Sequence, residues 1–262
     1  MTERTSEPQS PAPQATKQLV GLRVLRQEGT EGTRKRWERF EVEVGPAATV
    51  ADALSALERA PRTIDGKRVA PVAWEGDCLE GACGGCAMRV NGKVALACTT
   101  LVAPLARKKP VVLEPLSRFA TLTDLIVDRS PLFNALAQVE AATHVPERAL
   151  GSVPAEHEAP LERLAGCMGC GACAEACPQY GPHSDFLGAA ALGHAHRLNE
   201  SPAGALQKSR RLDVLMTPGG IADCGKAQNC VEVCPAGVPL IDALTTLSRQ
   251  TSLRFLFRWL GQ

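Results

Sequence analysis

The sequence predicts an α+β fold, with strands concentrated before residue 117 and helices after it. In the first part, short segments alternate apolar and polar residues, which is typical of half-buried strands. In most of the second part, apolar residues recur at the spacing of one helical face. We therefore expect two domains, at residues 17–117 and 118–262, behind a polar tail at residues 1–16 that we expect to be disordered.

The predicted N-terminal domain starts with two strands and a helix. Every second residue is apolar from Val20 to Val24, and again from Phe40 to Val44. In the segment TVADALSALERA, the apolar residues share one helical face, and Thr49 stands where it can cap the helix.

Further strands are predicted around a cysteine-rich loop at residues 78–86. Alternating apolar residues flank Asn91-Gly92, a dipeptide that favours a tight hairpin turn. The segment PVVLEPL at residues 110–116 predicts a last strand. A strand pair, a helix, a cysteine loop and further strands, in this order, fit a small β-grasp domain.

The C-terminal part is predicted to be mainly helical. Residues 121–144 have a helical pattern that Pro131 interrupts, and residues 188–199 and 239–250 predict two more helices. The proline-containing segment at residues 151–160 predicts a loop. The final segment SLRFLFRWLG is apolar and basic, and we expect it either to fold onto the domain or to lie against a membrane partner or lipid.

Composition and charge argue against several function classes. The 262 residues carry a formal net charge of +1, whereas nucleic-acid-binding domains usually show a strong basic excess, so no nucleic-acid partner is expected. Residues 1–15 resemble neither a secretory signal nor a transit peptide. No apolar run approaches the roughly 18 residues that span a bilayer. In a reducing compartment, the eleven cysteines are expected to be metal ligands rather than disulfides.

Four cysteines in the N-terminal part predict a [2Fe–2S] site. Cys78, Cys83 and Cys86 have the plant-type C-x4-C-x2-C spacing, and Cys98 follows at the end of the predicted hairpin. Glycines in this loop allow left-handed backbone and let amide groups approach the cluster sulfurs. These glycines are Gly81, Gly84 and Gly85.

The other seven cysteines form two runs of the bacterial ferredoxin type, C-x2-C-x2-C-x3-C-P. The first run, CMGCGACAEACP, is complete, whereas the second, CGKAQNCVEVCP, has Ala227 where its second cysteine would stand. In two-cluster ferredoxins, the last cysteine of such a run binds the other cluster. This exchange predicts a [4Fe–4S] site with ligands Cys167, Cys170, Cys173 and Cys234, and a three-thiolate site with ligands Cys177, Cys224 and Cys230. We expect a [3Fe–4S] cluster at the second site, because an iron at its fourth corner would have no thiolate.

The chain resembles the iron–sulfur subunit of succinate dehydrogenase and fumarate reductase. The three cysteine motifs, their order and the short gap between Cys86 and Cys98 all match, and the resemblance covers about residues 17–250. It implies a β-grasp [2Fe–2S] domain followed by an all-α helical ferredoxin domain. It also implies a flavoprotein partner with covalent FAD, and a membrane cytochrome b partner that holds haem b and binds quinone.

The resemblance further implies a route for electrons. They would enter at the [2Fe–2S] cluster near the flavin, pass the [4Fe–4S] cluster and leave from the [3Fe–4S] cluster to quinone. The chain would lie peripherally on the cytoplasmic face of the cell membrane, held by the membrane subunit. No substrate site of its own is expected, since the sequence contains neither a nucleophile–base pair nor a phosphate-binding loop.

The stretch CPQYGPHSDFLG lacks the tryptophan pair that many ubiquinone-linked relatives carry there. In this it looks more like the branch with a single di-haem cytochrome b, which commonly uses menaquinone. Five residues are candidates for lining a quinone route, although each could instead pack around the [3Fe–4S] cluster or against a partner. They are Pro178, Tyr180, His183, Lys226 and Ala227.

Three functions stay open at this point. The first is the electron-transfer subunit of a succinate:quinone oxidoreductase. The second is the corresponding subunit of a quinol:fumarate reductase, which works in the opposite direction. The third is an interaction module stapled by zinc, because four thiolates can also hold zinc tetrahedrally.

Overall fold

The computed structural model describes residues 17–29, 34–107, 109–139 and 155–260, without the side chains of residues 155–157. The tail predicted to be disordered lies outside these residues. Five strands form the N-terminal sheet: β1 (Gln18–Arg26), β2 (Arg36–Val44), β3 (Ala87–Val90), β4 (Lys93–Leu96) and β5 (Val111–Glu114). Their order in the sheet is β2-β1-β5-β3-β4. Strands β1 and β5 are parallel, and all other neighbours are antiparallel.

The predicted helix after β2 is confirmed as α1 (Val50–Arg59). Thr49 caps it, because its hydroxyl accepts a hydrogen bond from the amide of Asp52 and the Asp52 carboxylate accepts one from the amide of Thr49. Leu54 and Leu57 of this helix are almost fully buried in the core against the sheet.

The predicted hairpin is also confirmed. Asn91 and Gly92 both have left-handed backbone, with φ of 50° and 80°, as a two-residue turn of this kind requires. The Asn91 side chain accepts a hydrogen bond from the amide of Val112 at 2.8 Å, which ties the turn to β5.

The helix predicted from residue 121 is wrong in its first part. Residues Ala120–Thr123 and Ile126–Asp128 form two short antiparallel strands, β6 and β7. The physical reason is Asp124, which takes a left-handed conformation with φ of 43° in the turn between them. Its carboxylate accepts hydrogen bonds from Arg26, Gln27 and Ala73, which are far away in sequence, and these bonds favour the turn over a helix. The helix begins only at Ser130, with Pro131 inside its first turn.

Eight helices follow among the described residues of the C-terminal part. They are α2 (Ser130–Val139), α3 (Ala155–Ala165), α4 (Ala172–Ala176), α5 (Gly188–Glu200), α6 (Pro202–Ala205), α7 (Lys208–Leu215), α8 (Asn229–Glu232) and α9 (Leu240–Trp259). Helix α5 packs against α2, α3 and α9 and occupies the centre of this part. The predicted helix at residues 188–199 is thus confirmed.

Two other predictions for this part need correction. Residues 151–160 were predicted to form a loop, but residues 155–160 belong to α3, in which Pro160 is accommodated inside the helix. The helix predicted at residues 239–250 continues to Trp259, so the final apolar segment is the end of α9. Trp259 and Phe255 are exposed on it, at 75% and 65%. In the described part of the chain, no helix combines the length and apolar character needed to cross a membrane.

A buried ion pair fastens the β6–β7 turn to the N-terminal sheet. One carboxylate oxygen of Asp124 accepts hydrogen bonds from Arg26 Nε at 2.9 Å and from the amide of Gln27 at 3.0 Å, and the other accepts one from the amide of Ala73 at 2.9 Å. The side chains of Arg26 and Asp124 are 1% and 3% exposed. Arg26 also pairs with Glu38 at 2.8 Å. The pair therefore joins three segments that are far apart in sequence.

Replacing Asp124 by asparagine should destabilise the protein by about 3 kcal/mol, because one partner of a buried charge is removed. Asparagine tolerates left-handed backbone, so the turn itself is preserved. The control is Glu43→Gln, which breaks an exposed 4.0 Å pair with Lys17 and should cost less than about 1 kcal/mol. Anaerobic urea unfolding of the cluster-loaded protein measures both; equal losses for the two variants would contradict a stabilising role of the Arg26–Asp124 pair.

Candidate metal centres

The loop from Cys78 to Cys86 directs several backbone amides at its own sulfur atoms. Cys78 Sγ accepts hydrogen bonds from the amides of Glu80 at 3.4 Å, Ala82 at 3.4 Å and Cys83 at 3.3 Å. These bonds, led by that from Glu80, lower the pKa of the Cys78 thiol to about 6. The loop therefore stabilises negative charge on sulfur, which a thiolate ligand requires.

Left-handed residues give the loop this shape. Gly81 and Gly84 have φ of 76° and 74°, as their residue type predicts, whereas Gly85 is not left-handed. Leu79 is, with φ of 57°, and its side chain is half exposed. A leucine in this conformation costs roughly 1–2 kcal/mol, and nothing in the sequence pattern indicated it.

The other two cysteines of this group lie together in the core. The sulfur atoms of Cys86 and Cys98 are 3.3 Å apart, and both residues are buried. Burial raises the pKa of the Cys86 thiol to about 11. The hairpin β3–β4 brings this pair together, because Cys86 precedes β3 and Cys98 follows β4. The four cysteines of the first group thus surround one end of the hairpin, two of them at the surface side and two inside.

The seven cysteines of the second group divide between two cavities. A small cavity of about 30 Å³ is lined by four of them, Cys167, Cys170, Cys173 and Cys234. A larger cavity of about 170 Å³ is lined by the other three, Cys177, Cys224 and Cys230, together with Ala227. In each cavity one cysteine comes from the other run.

The pairing of two short helices produces this exchange. Cys177 directly follows α4, and Cys234 follows α8 after one residue. Helices α4 and α8 pack against each other, and Asn229 donates a hydrogen bond to the carbonyl of Ala176 at 3.0 Å. The ends of the two runs therefore lie side by side, and each reaches the cavity of its neighbour.

Burial of these thiols disfavours their charged form. Burial raises the pKa of Cys173, and the neighbouring thiol of Cys170 adds to the effect. Burial likewise raises the pKa of Cys170 and Cys230. A bound metal would have to displace these protons and stabilise the thiolates, so binding would be coupled to proton release.

The turns that carry the ligands contain left-handed residues at matching places. Gly169 and Gly171 flank Cys170, with φ of 64° and 83°, and Lys226 and Gln228 flank Ala227, with φ of 54° and 64°. The second turn has the same backbone shape although its residues are not glycines. Ala227 thus stands between two left-handed residues, as Cys170 does.

The quinone candidates fall into two groups. Pro178, Lys226 and Ala227 line the three-thiol cavity. Tyr180 and His183 do not line it: Tyr180 is buried against Phe119, with ring centroids 5.7 Å apart, and His183 is exposed. The structure therefore brings three of the five candidates together beside the cysteines.

Sequence reasoning missed several residues of the same cavity. Gln179 lies with its side-chain oxygen 3.9 Å from the sulfur of Cys177. Ile241, Thr245 and Ser248 of α9 line the opposite side. Their spacing of three and four residues places them on one helical face, which was the available signal.

The described ligand residues suit clusters by their donor chemistry, since they are thiols, and the sulfur atoms of Cys78, Cys83 and Cys234 accept hydrogen bonds from backbone amides. All eleven cysteines lie within the described ranges, and each is a free thiol. In those same ranges, no three side chains of His, Cys, Asp or Glu converge on the position of a single metal ion.

Comparison with known proteins agrees with this donor set. The 2Fe-2S iron-sulfur cluster binding domain family matches residues 21–134, and the 4Fe-4S dicluster domain family matches residues 163–238. The chain is 39% identical over 228 residues to the succinate dehydrogenase iron–sulfur subunit of Bacillus subtilis. This alignment covers 86% of this chain and 89% of that relative. The chain belongs to the family of succinate dehydrogenase and fumarate reductase iron–sulfur subunits.

Other members of this iron–sulfur subunit family are similar to the chain as well. It is 33% identical over 196 residues to the fumarate reductase iron–sulfur subunit of Mycobacterium tuberculosis. This alignment covers 70% of this chain and 77% of the relative. Its fold matches a chain of the Mycobacterium smegmatis Sdh1 complex in the apo form, with a TM-score of 0.76 at 22% identity. That match covers 91% of this chain and 98% of the other.

The predicted family is thereby confirmed, as are the [2Fe–2S] and [4Fe–4S] domains. The iron–sulfur subunit transfers electrons as part of an oxidoreductase complex. The assignment of individual cysteines to clusters stays a prediction, and so does the boundary between the domains at residue 117.

Proposed function

We propose that this chain is the electron-transfer subunit of a succinate:quinone oxidoreductase with three clusters. A β-grasp domain at residues 17–117 would hold the [2Fe–2S] cluster. A domain at residues 118–262, which is helical apart from the strand pair β6–β7 at its start, would hold the [4Fe–4S] and [3Fe–4S] clusters. The sheet order β2-β1-β5-β3-β4 with a parallel central pair supports the β-grasp assignment. The confinement of the described C-terminal elements after residue 130 to helices supports the second assignment.

The division of seven thiols into sets of four and three is the observation that carries this proposal. Four thiols line one cavity and three line the other, and Ala227 occupies the position that a fourth thiol would take. A cubane needs a ligand at each of four irons, so three thiolates suit a cluster that lacks one iron. This supports a [3Fe–4S] cluster beside Ala227 and a [4Fe–4S] cluster that includes Cys234.

The clusters, when bound, would supply one-electron redox chemistry, and the protein would set their position and potential. Cys78, Cys83, Cys86 and Cys98 would hold the first cluster. The amides of Glu80, Ala82 and Cys83 would donate to the Cys78 sulfur and partly neutralise its charge. Hydrogen bonds of this kind favour the reduced form of a cluster and so raise its potential.

The partners follow from the family. The chain would receive electrons from a flavoprotein subunit with FAD and deliver them to quinone at a membrane subunit with haem b, on the cytoplasmic face of the cell membrane. Pro178, Lys226 and Ala227 would stand nearest to the quinone, because they line the three-thiol cavity. Menaquinone is the proposed acceptor, on the resemblance of CPQYGPHSDFLG to the di-haem branch.

A quinol:fumarate reductase is the second candidate function. Relatives named as fumarate reductase subunits match the chain alongside the succinate dehydrogenase subunit. Electrons would then pass through the same three clusters in the opposite direction, from quinol to flavin. Redox titration of the three clusters together with the quinone pool of the host distinguishes the two directions.

The isolated chain should be coloured but unable to oxidise succinate. Anaerobically purified protein should absorb visible light and contain iron and sulfide for three clusters, whereas a zinc module would be colourless. Succinate-dependent dye reduction should appear only after the flavoprotein subunit is added, since the cavities beside the cysteines would be filled by clusters. Dye reduction by the flavin-free chain alone, or zinc in place of iron, would overturn the proposal.

Replacing Ala227 by cysteine should convert the three-thiol site into a four-thiol site. The new thiol stands three residues after Cys224 and three before Cys230, which is the spacing of Cys170 in the complete run. An added thiolate places more negative charge on the cluster, so its potential should fall and electron delivery to quinone should slow. Low-temperature EPR of the oxidised protein should show a [3Fe–4S] signal in the wild type and lose it in this variant.

The matched control is Ala222→Cys, which adds a thiol at an exposed position two residues before Cys224, outside the cavity lining. It should keep the [3Fe–4S] signal. If Ala227→Cys also keeps the full signal while loaded with all clusters, Ala227 is not the vacant corner.

A further inference from the structure

Gly84 of the first cysteine loop lies close against Cys170 of the second cysteine group. Gly84 stands between Cys83 and Cys86 and has a φ of 74°. A Cβ atom built on it would lie 2.7 Å from Cβ and 2.9 Å from Cα of Cys170. Carbon atoms pack at about 3.5–4.0 Å. Any larger residue would therefore have to push Cys170, or the loop itself, away.

Arg129 holds this contact from the helical side. Its Nη1 donates a hydrogen bond to the carbonyl of Gly84 at 2.9 Å, and its Nη2 forms an ion pair with Glu75. The Arg129 side chain is only 12% exposed, so this network is largely shielded from water. Because Arg129 directly precedes α2, the network fixes the cysteine loop to the start of the helical part.

Cys170 is fixed from its other sides as well. Its neighbours Gly169 and Gly171 are both left-handed, and a Cβ on either would meet an aromatic ring, Phe133 at 3.3 Å and Phe119 at 3.1 Å. The turn that carries Cys170 is thus packed between the rings of Phe133 and Phe119 and the backbone of Gly84. It has little freedom to retreat if the Gly84 side becomes larger.

We propose that Gly84 is the point at which electrons cross from the first cluster to the second, and that Arg129 is the positioning residue that keeps this crossing short. This rests on the proposed function, in which Cys83 and Cys170 are cluster ligands. One electron would pass from the first centre to the second, with no bond made or broken. The path would run from Cys83 along the chain to Gly84 and then across the contact between Gly84 and Cys170.

The lack of a side chain at Gly84 is what this role requires. Electron tunnelling slows steeply as the gap between two centres widens, and the packing of the two ligand loops would limit how close the centres can lie. Because Gly84 has no side chain, its backbone can lie directly against the ligand residue Cys170. In its left-handed conformation, its carbonyl accepts the hydrogen bond from Arg129. The same residue therefore sets both the distance and the attachment of the two loops.

The test compares Gly84→Ala with Gly66→Ala in the assembled, cluster-loaded complex. Gly66 has nearly the same φ, 77°, but a Cβ on it would have no neighbour within 4 Å. Both variants therefore carry the same backbone strain, and only Gly84→Ala widens the contact with Cys170. The readout is the spin relaxation of the reduced [2Fe–2S] EPR signal, which a nearby reduced [4Fe–4S] cluster speeds up.

Gly84→Ala should weaken this relaxation enhancement. It should also slow the reduction of the [4Fe–4S] cluster, as measured by rapid mixing. Gly66→Ala should match the wild type in both measurements. If both variants match the wild type while fully loaded, Gly84 is not the crossing point. If the wild type itself lacks coupled clusters, the proposed function fails instead.

Arg129 provides a second route to the same answer if Gly84→Ala loses a cluster. Arg129→Leu should reduce the relaxation enhancement, because it removes the donor to the Gly84 carbonyl and frees Glu75. Arg129→Lys should restore part of it, since a lysine can still donate to one of the two oxygens. An Arg129→Leu variant that keeps all clusters and full coupling would contradict the positioning role.

Discussion

Cys177 and Cys234 are each the last cysteine of a run, and each lines the cavity that the other run forms. Most of the helical part depends on this exchange. It requires α4 and α8 to lie together, and it places α5 and α9 around the two cavities. Burial raises the pKa of Cys170, Cys173 and Cys230, so these thiols would lose their protons when a cluster binds. Because each proposed ligand set draws on both runs, cluster binding would be coupled to the folding of this part.

A continuous apolar core and several charged groups join the N-terminal part to the helical part. Asp124 binds Arg26 across the β6–β7 turn, and Arg129 binds the cysteine loop at Gly84. Asp124 and Arg129 are five residues apart in the segment that connects the N-terminal sheet to α2. A segment this short, fixed at both ends, leaves the two cysteine groups little freedom to separate, and a chain that conducts electrons between them needs this rigidity.

The sequence predicted the local elements where one physical signal was decisive. The alternation around Val20 and Phe40 marked two strands, and Thr49 marked the start of α1. It failed where distant contacts decided the conformation. Residues 120–128 have a helical apolar pattern, but the buried pairing of Asp124 with Arg26 makes them strands.

The candidate site was predictable to a similar degree. Cysteine spacing alone predicts ligand sets of four and three, because the exchange is built into the ferredoxin motif, and the assignment of each cysteine to a cluster stays a prediction. The contact of Gly84 with Cys170 could not be predicted, since it joins two loops 86 residues apart whose relative placement depends on the whole fold. The left-handed Leu79 also gave no signal, as leucine has no preference for that conformation.

The crossed ligation is tested most directly by comparing EPR spectra of Cys177→Ala and Cys234→Ala in otherwise intact protein. If the runs exchange their last cysteines, Cys234→Ala should damage the reduced [4Fe–4S] signal and leave the oxidised [3Fe–4S] signal. Cys177→Ala should do the opposite. The reverse pattern, in which Cys177→Ala removes the [4Fe–4S] signal and Cys234→Ala removes the [3Fe–4S] signal, would show that each run binds its own cluster and would contradict the account.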